Sequence, residues 1–281
     1  MIWPPRPEVL DALCVQAAVN QRPRKRFGQN FLVDHGIVAA IVAAIDPRPA
    51  EHVVEIGPGR GALTAPLLDR LGQLHAVELD RDLCAELRAR FDPDRLILHQ
   101  GDALEFDFAS LPAPLRVVGN LPYNISTPLL FHLVQFEARC RDMHFMLQNE
   151  VVERMVAAPS SAAYGRLSVM LQYRFDIERL FGVPPESFYP VPKVHSAIVR
   201  LRPLSQGARA ARGMALDEQL FARVVTSAFT RRRKTLRNAL SGMLGAERLE
   251  ALGIDARLRP ENLSVADFVA IANDCTAHGR G

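Results

Sequence analysis

The chain has 281 residues, 48% hydrophobic and 23% charged with a net charge of +3, which suits a large folded domain plus a small one. Its cysteines (Cys14, Cys84, Cys140, Cys275) contain no CxxC pair, which argues against a zinc centre or disulfide scaffold and fits a reducing cytoplasm. The longest apolar run, Ile37–Ile45, is too short for a bilayer, and prolines interrupt MIWPPRPEVLDALC where a signal peptide needs apolar residues, so neither membrane nor export is expected.

From residue 35 the pattern alternates between helix and strand. Asp34 is placed to cap a helix running to Ile45. HVVEIG (52–57) reads as a strand, followed by a glycine turn and the helix ALTAPLLDRL. LHAVELD (74–80), RLILHQGD (95–102), RVVGN (116–120) and MHFMLQ (143–148) supply four more strands, with helices between them and EVVERMVAA after the last. These strands are apolar and rich in β-branched residues, as parallel strands covered on both faces should be. FGVPPESFYPVPKV (181–194) reads as a proline-rich loop and HSAIVRLRPL as a strand closing the sheet in an antiparallel hairpin. After a Ser-Gln-Gly-Ala linker (205–208) the pattern is helical, with DEQLFARVVTSAFTRRRKTLRNAL expected as one helix. The fold class is therefore α/β: a doubly wound, mostly parallel sheet with an antiparallel strand near its C-terminal edge, then a small all-α domain.

Charge is unevenly placed. Residues 1–204 hold 22 basic and 23 acidic residues, and residues 205–281 hold 12 and 8, so the tail carries the excess. Arg223, Arg231, Arg232, Arg233, Lys234 and Arg237 share one acid-free window, and Arg22, Arg24, Lys25 and Arg26 form a second cluster. Either could be a solvated face; two in one chain favour a polyanion, with nucleic acid first.

GPGRG (57–61) stands between the first of these strands and its helix, where a nucleotide cofactor binds. Glu78 ends the next strand, placed to accept from ribose hydroxyls, and Asp102 ends the third, near where an adenine would lie. The G-x-G-x-G spacing, with Glu55 before it, points away from a dinucleotide and toward S-adenosylmethionine, a cation without phosphates. Structural turn glycines and strand-end acids are the plainer alternative. NLPYNIS (120–126) ends the fourth strand with a proline, which has no N–H for a ladder. That leaves an amide and a phenol at the strand's carboxyl edge, a setting for a flat ligand with an amino group.

VEIGPGRGALT, VELD, QGDAL and NLPYNIS, in that order, resemble the class I methyltransferases that modify adenine N6 in ribosomal RNA. RKRFGQNFL (24–32), FYPVPKVHSA (188–197) and AFTRRRKTLRN (228–238) narrow the resemblance to the bacterial 16S rRNA adenine dimethyltransferases, from about residue 22 into the tail. The resemblance implies a Rossmann-like catalytic domain over 22–204, a basic helical RNA-binding domain over 205–281, and an extension over 1–21, disordered or particular to this chain. It implies S-adenosylmethionine contacts from Gln29, Asn30, Leu32, Gly57, Gly59, Gly61, Glu78, Asp102 and Asn120, with Glu55 acting through water.

For the target, Asn120 and the Leu121 carbonyl would accept from N6, Tyr123 would stack on the base, and Phe188 would be the second aromatic. No general base and no metal are required. Arg231, Arg232, Arg233, Lys234 and Arg237 would meet rRNA phosphates from a helix. The implied partner is 16S rRNA in the immature small subunit, met by a cytoplasmic monomer. A 23S rRNA methyltransferase of the macrolide-resistance type, a non-catalytic ribosome-assembly factor and a DNA adenine methyltransferase are the competing readings.

Overall fold

The structure is a computed structural model, and it describes residues 30–279. Gln29, the 22–26 basic cluster and the 1–21 extension lie outside the described residues. The elements are β1 (Phe31–Leu32), α1 (His35–Ile45), β2 (His52–Ile56), α2 (Thr64–Leu68), β3 (Leu74–Glu78), α3 (Arg81–Arg90), β4 (Leu96–Gln100), β5 (Leu115–Asn120), α4 (Ser126–Val134), β6 (Cys140–Gln148), α5 (Asn149–Val156), α6 (Arg166–Gln172), β7 (Phe175–Val183), β8 (Phe188–Tyr189) and β9 (Ser196–Pro203). The tail adds α7 (Gln206–Arg212), α8 (Glu218–Thr230), α9 (Leu236–Ala239), α10 (Ala246–Ala251) and α11 (Val265–Ala277).

The seven-stranded sheet has the order β4-β3-β2-β5-β6-β9-β7, parallel from β4 to β6 and antiparallel at β9 and β7. Apolar side chains from both faces of the parallel strands enter two core clusters, which is why these strands show no polar alternation. Asp34 caps α1 as expected, its Oδ1 accepting from Gly36 and Ile37 N–H at 2.8 and 3.1 Å. The proline-rich stretch is only partly loop. β7 runs on to Val183, and β8 pairs antiparallel with β1, setting Phe31 opposite Tyr189 and Leu32 opposite Phe188.

One expected helix is two. The chain turns at Arg231 and resumes helix at Leu236, whose N–H donates to the Leu258 carbonyl at 2.8 Å, as does that of Arg237 to Ala256 at 3.1 Å. Thr235 at the second N-cap is extended (φ −64°, ψ 158°). The basic run therefore occupies a turn between helices and not a helical face: carbonyls from a distant loop satisfy donors that a continuous helix would have used. The tail's apolar core also takes in Ala157, Tyr164, Val169 and Tyr173 from the segment around α6.

His144 on β6 is buried within the sheet, opposite Val118 and Arg200 of the neighbouring strands, and neither ring nitrogen is hydrogen-bonded among the described residues. Burial pushes its imidazole down to about 4, against an opposing pull from Asp142. Below pH 6.5 an unfolded histidine takes up a proton that the folded one refuses, so acid destabilises the fold until about pH 4. By pH 5 this term is on the order of 2 kcal/mol. His144→Met is expected to lose less stability than the parent between pH 7 and pH 5, measured by urea denaturation; an equal loss would contradict the assignment.

Candidate active site

The strand order reverses between β2 and β5, and a cleft opens there at the carboxyl ends of β2 to β5. Gly57, Gly59 and Gly61 leave β2 with φ of 65°, 57° and 79°, a region costly for any residue bearing a Cβ. A side chain at Gly59 would also come within 3.3 Å of the Phe31 ring, which packs on this loop. Glu55, Glu78 and Asp102 enter the same cleft from three neighbouring strand ends. Glu78 accepts from Gly59 N–H at 3.2 Å and Asp80 N–H at 2.9 Å, so it ties the glycine loop to the next strand. Burial raises the Glu78 carboxyl, while the backbone donors hold it back. Burial pushes Glu55 up to about 7, helped by the Glu78 charge, although the Thr64 hydroxyl donates to it at 2.6 Å. A group carrying positive charge would relieve both acids.

NLPY forms the other wall. Asn120 ends β5, and its Nδ2 donates to the Asn30 carbonyl at 3.2 Å. This fixes the amide plane and leaves Oδ1, which has no partner among the described residues, as an acceptor. Leu121 is buried with its N–H on the Met146 carbonyl at 3.2 Å, and its own carbonyl is unclaimed among the described residues. Pro122 and Tyr123 follow along the cleft, the phenol held by Ser196 Oγ at 2.8 Å. Close packing sets this geometry. A Cβ at Gly119 would lie 2.5 Å from the Ile56 carbonyl, so only glycine lets β5 deliver Asn120 beside the glycine loop.

Of the sequence-derived site residues, Asn30, Leu32, Gly57, Gly59, Glu78, Asp102, Asn120, Leu121 and Tyr123 line this one cleft. Gly61 stands just behind, where a Cβ would press on the Phe91 ring at 3.1 Å. Phe188 departs from expectation: it is 2% exposed and packed in the core with Leu32, because the two-residue strand turns it inward and turns Tyr189 outward. Two supports escaped the sequence reading, Ser196 behind Tyr123 and Gly119 behind Asn120. The second had a signal, a glycine inside an otherwise β-branched strand.

On the tail, Thr230, Arg231, Arg232, Arg233, Lys234 and Asn238 line a second hollow. Arg232 is engaged, with Glu261 at 3.1 Å and the Ala162 carbonyl at 2.8 Å. Arg231, Arg233, Lys234 and Arg237 are exposed. No helix among the described residues is long and apolar enough to cross a membrane.

A doubly wound sheet with a glycine loop, acids at successive strand ends and Asn-Leu-Pro-Tyr at the switch point defines a class I methyltransferase. Within that class the chain belongs to the ribosomal RNA adenine dimethylase family, whose model matches residues 20–276. It is 66% identical over 249 residues to the ribosomal RNA small subunit methyltransferase A of Thiobacillus denitrificans, covering 89% of this chain and 96% of that protein. The protein of that name from Aromatoleum aromaticum is 64% identical over 252 residues, covering 90% of this chain and 94% of the relative. Among solved structures, a dimethyladenosine transferase from Plasmodium falciparum shares the fold with a TM-score of 0.76 at 24% identity, covering 89% of this chain and 98% of that one. A 23S rRNA methyltransferase, ErmE, follows at 0.68 and 25% identity, covering 88% and 100%.

Proposed function

We propose that the protein transfers methyl groups to N6 of two adjacent adenosines near the 3′ end of 16S rRNA, with S-adenosylmethionine as donor. The observation that carries this is the Asn120 amide, locked through Asn30 so that its oxygen is the free acceptor at the cleft. The cleft suits the donor by its chemistry: carboxylates Glu55, Glu78 and Asp102, and glycines that leave the backbone open. Gly57, Gly59, Glu78 and Asp102 would hold the nucleoside part, with Asn30 and Leu32 over it. Bound there, S-adenosylmethionine supplies an activated methyl electrophile.

The residues do the rest by position and charge. Adenine N6 is a weak nucleophile because its lone pair is delocalised into the ring. Asn120 Oδ1 and the Leu121 carbonyl accept from the amino group, draw that pair out of the ring and stabilise the positive charge that grows on nitrogen. The Tyr123 face takes the base, which must be unpaired or extruded to enter. No side chain is needed as a base, since the amino proton leaves to water once nitrogen is positively charged. Arg231, Arg233 and Lys234 from the inter-helix turn, and Arg237 from the start of α9, bind rRNA phosphates, with Arg232 holding that turn in place. The substrate is the immature small ribosomal subunit in the cytoplasm, and the enzyme acts as a monomer.

Mass spectrometry of rRNA fragments after reaction with S-adenosylmethionine and unmodified subunits tests this. Two adjacent N6-dimethyladenosines in 16S rRNA are expected. Modification confined to 23S rRNA would favour the competing reading, and none at all would leave a non-catalytic factor.

A further inference from the structure

The β1–β8 ribbon has a buried face and an open one. Leu32 and Phe188 fill the core side, at 7% and 2% exposure. Directly opposed residues of an antiparallel pair share a face, so Phe31 and Tyr189 stand together on the other side. Phe31 packs on the glycine loop and lines the cleft, with the Arg60 guanidinium 4.9 Å above its ring. Tyr189 is 47% exposed and continues that surface outward. The loop after it adds Val191 at 60%, Lys193, and Val194 at 41%, with Val33 at 43% just after β1. Half of the large exposed hydrophobic residues among the described ones therefore belong to this ribbon and the segments that follow its two strands, next to Phe31 of the cleft.

The ribbon is rigidly anchored. The Ser187 carbonyl accepts from Val33 N–H at 2.9 Å and Asp34 N–H at 3.3 Å, and the Ser187 hydroxyl donates to Asp34 at 3.1 Å. An aromatic ring on a fixed ribbon, with aliphatic neighbours and a lysine, matches a base with its phosphate and offers little to a folded duplex.

We infer that Tyr189 is the stacking platform for the nucleotide next to the target adenosine, with Val191 and Val194 shielding that base and Lys193 on its phosphate. The inference rests on the proposed RNA-methylating function and adds a subsite to it. A base stacked on Tyr123 in the cleft with its neighbour on Tyr189 fixes which adenosine faces the methyl group. Modifying the adjacent adenosine then takes a shift of one nucleotide, after which each platform again holds a base.

The test compares the parent, Tyr189→Ala and Tyr189→Phe on small subunits whose 16S rRNA is unmodified. Tyr189→Ala is expected to raise KM for the subunit about tenfold, with kcat, Tm and donor affinity little changed. Tyr189→Phe should restore the parent KM, because the ring and not the hydroxyl does the stacking. An unchanged KM in Tyr189→Ala, an equal rise in Tyr189→Phe, or a matching loss of donor affinity or Tm would overturn the inference while leaving the function standing. A parent enzyme that leaves the subunits unmodified would overturn both.

Discussion

Replacing Asn120 by alanine is expected to lower the rate of methyl transfer to 16S rRNA about 10²–10³-fold, the usual cost of removing one preorganised group that stabilises transition-state charge. The loss should fall on kcat. The acceptor at Oδ1 matters most when N6 has given up its delocalised pair and carries positive charge, and least when the base first stacks. Donor affinity should change only a few-fold, through loss of the 3.2 Å bond from Nδ2 to the Asn30 carbonyl. Single-turnover transfer, with donor binding measured separately, divides the two effects. A variant that methylates at the parent rate would remove Asn120 from the chemistry, and one that loses only donor affinity would make it a structural clamp.

The residues at this site were legible because each is carried by a contiguous motif at the end of an apolar strand. The run HVVEI can only be a covered strand, so the glycines after it fall at a carboxyl end, as do Glu78 and Asp102 after theirs. Asn120 follows by the same logic from LRVVGN. What could not be read depends on contacts between distant segments. Phe188 and Tyr189 are equivalent aromatics in the sequence, and only the pairing of β8 with a strand 157 positions earlier decides which is buried. The turn at 231–235 contains no glycine or proline; it forms because the carbonyls of Ala256 and Leu258 take donors from the next helix. In both cases the local pattern was right about residue type and silent about partner.

The most exacting of these long-range arrangements lies at the opposite end of the sheet. Arg116 on β5 is 4% exposed and uses all five guanidinium donors. Nε and Nη2 hold Asp142 at 2.8 Å each, Nη1 holds Glu51 at 2.7 Å and the Asp46 carbonyl at 3.2 Å, and Nη2 holds the Ile45 carbonyl at 2.6 Å. The two carbonyls are orphan acceptors at the C-terminal end of α1, a helix with no basic residue in its last turn. One side chain thus caps a helix and neutralises two carboxylates of which little is exposed.

Arg116→Met is expected to cost about 3–5 kcal/mol, because the carboxylates stay buried without their partner, and to lower Tm by roughly 6–15 °C. Among the described residues Glu51 then keeps only Arg141 as an ion-pair partner, and Asp142 faces the neutral His144 at 3.6 Å. Removing the anion as well, in Arg116→Met with Asp142→Leu, should recover part of the loss. It should not recover all of it, because the α1 carbonyls remain unserved. The pH dependence gives a second check. Burial raises the Glu51 carboxyl, but hydrogen bonds from Arg116 and the Arg48 N–H, with the charges of Arg116 and Arg141, more than offset it and hold it below the ordinary carboxylate value. A depressed carboxyl stabilises the fold above its unfolded value and loses that contribution as pH falls through its folded value. The gap between parent and Arg116→Met should therefore be widest near neutrality and close as acid protonates the carboxylates. A gap that is independent of pH would mean that Arg116 acts by packing and helix capping alone.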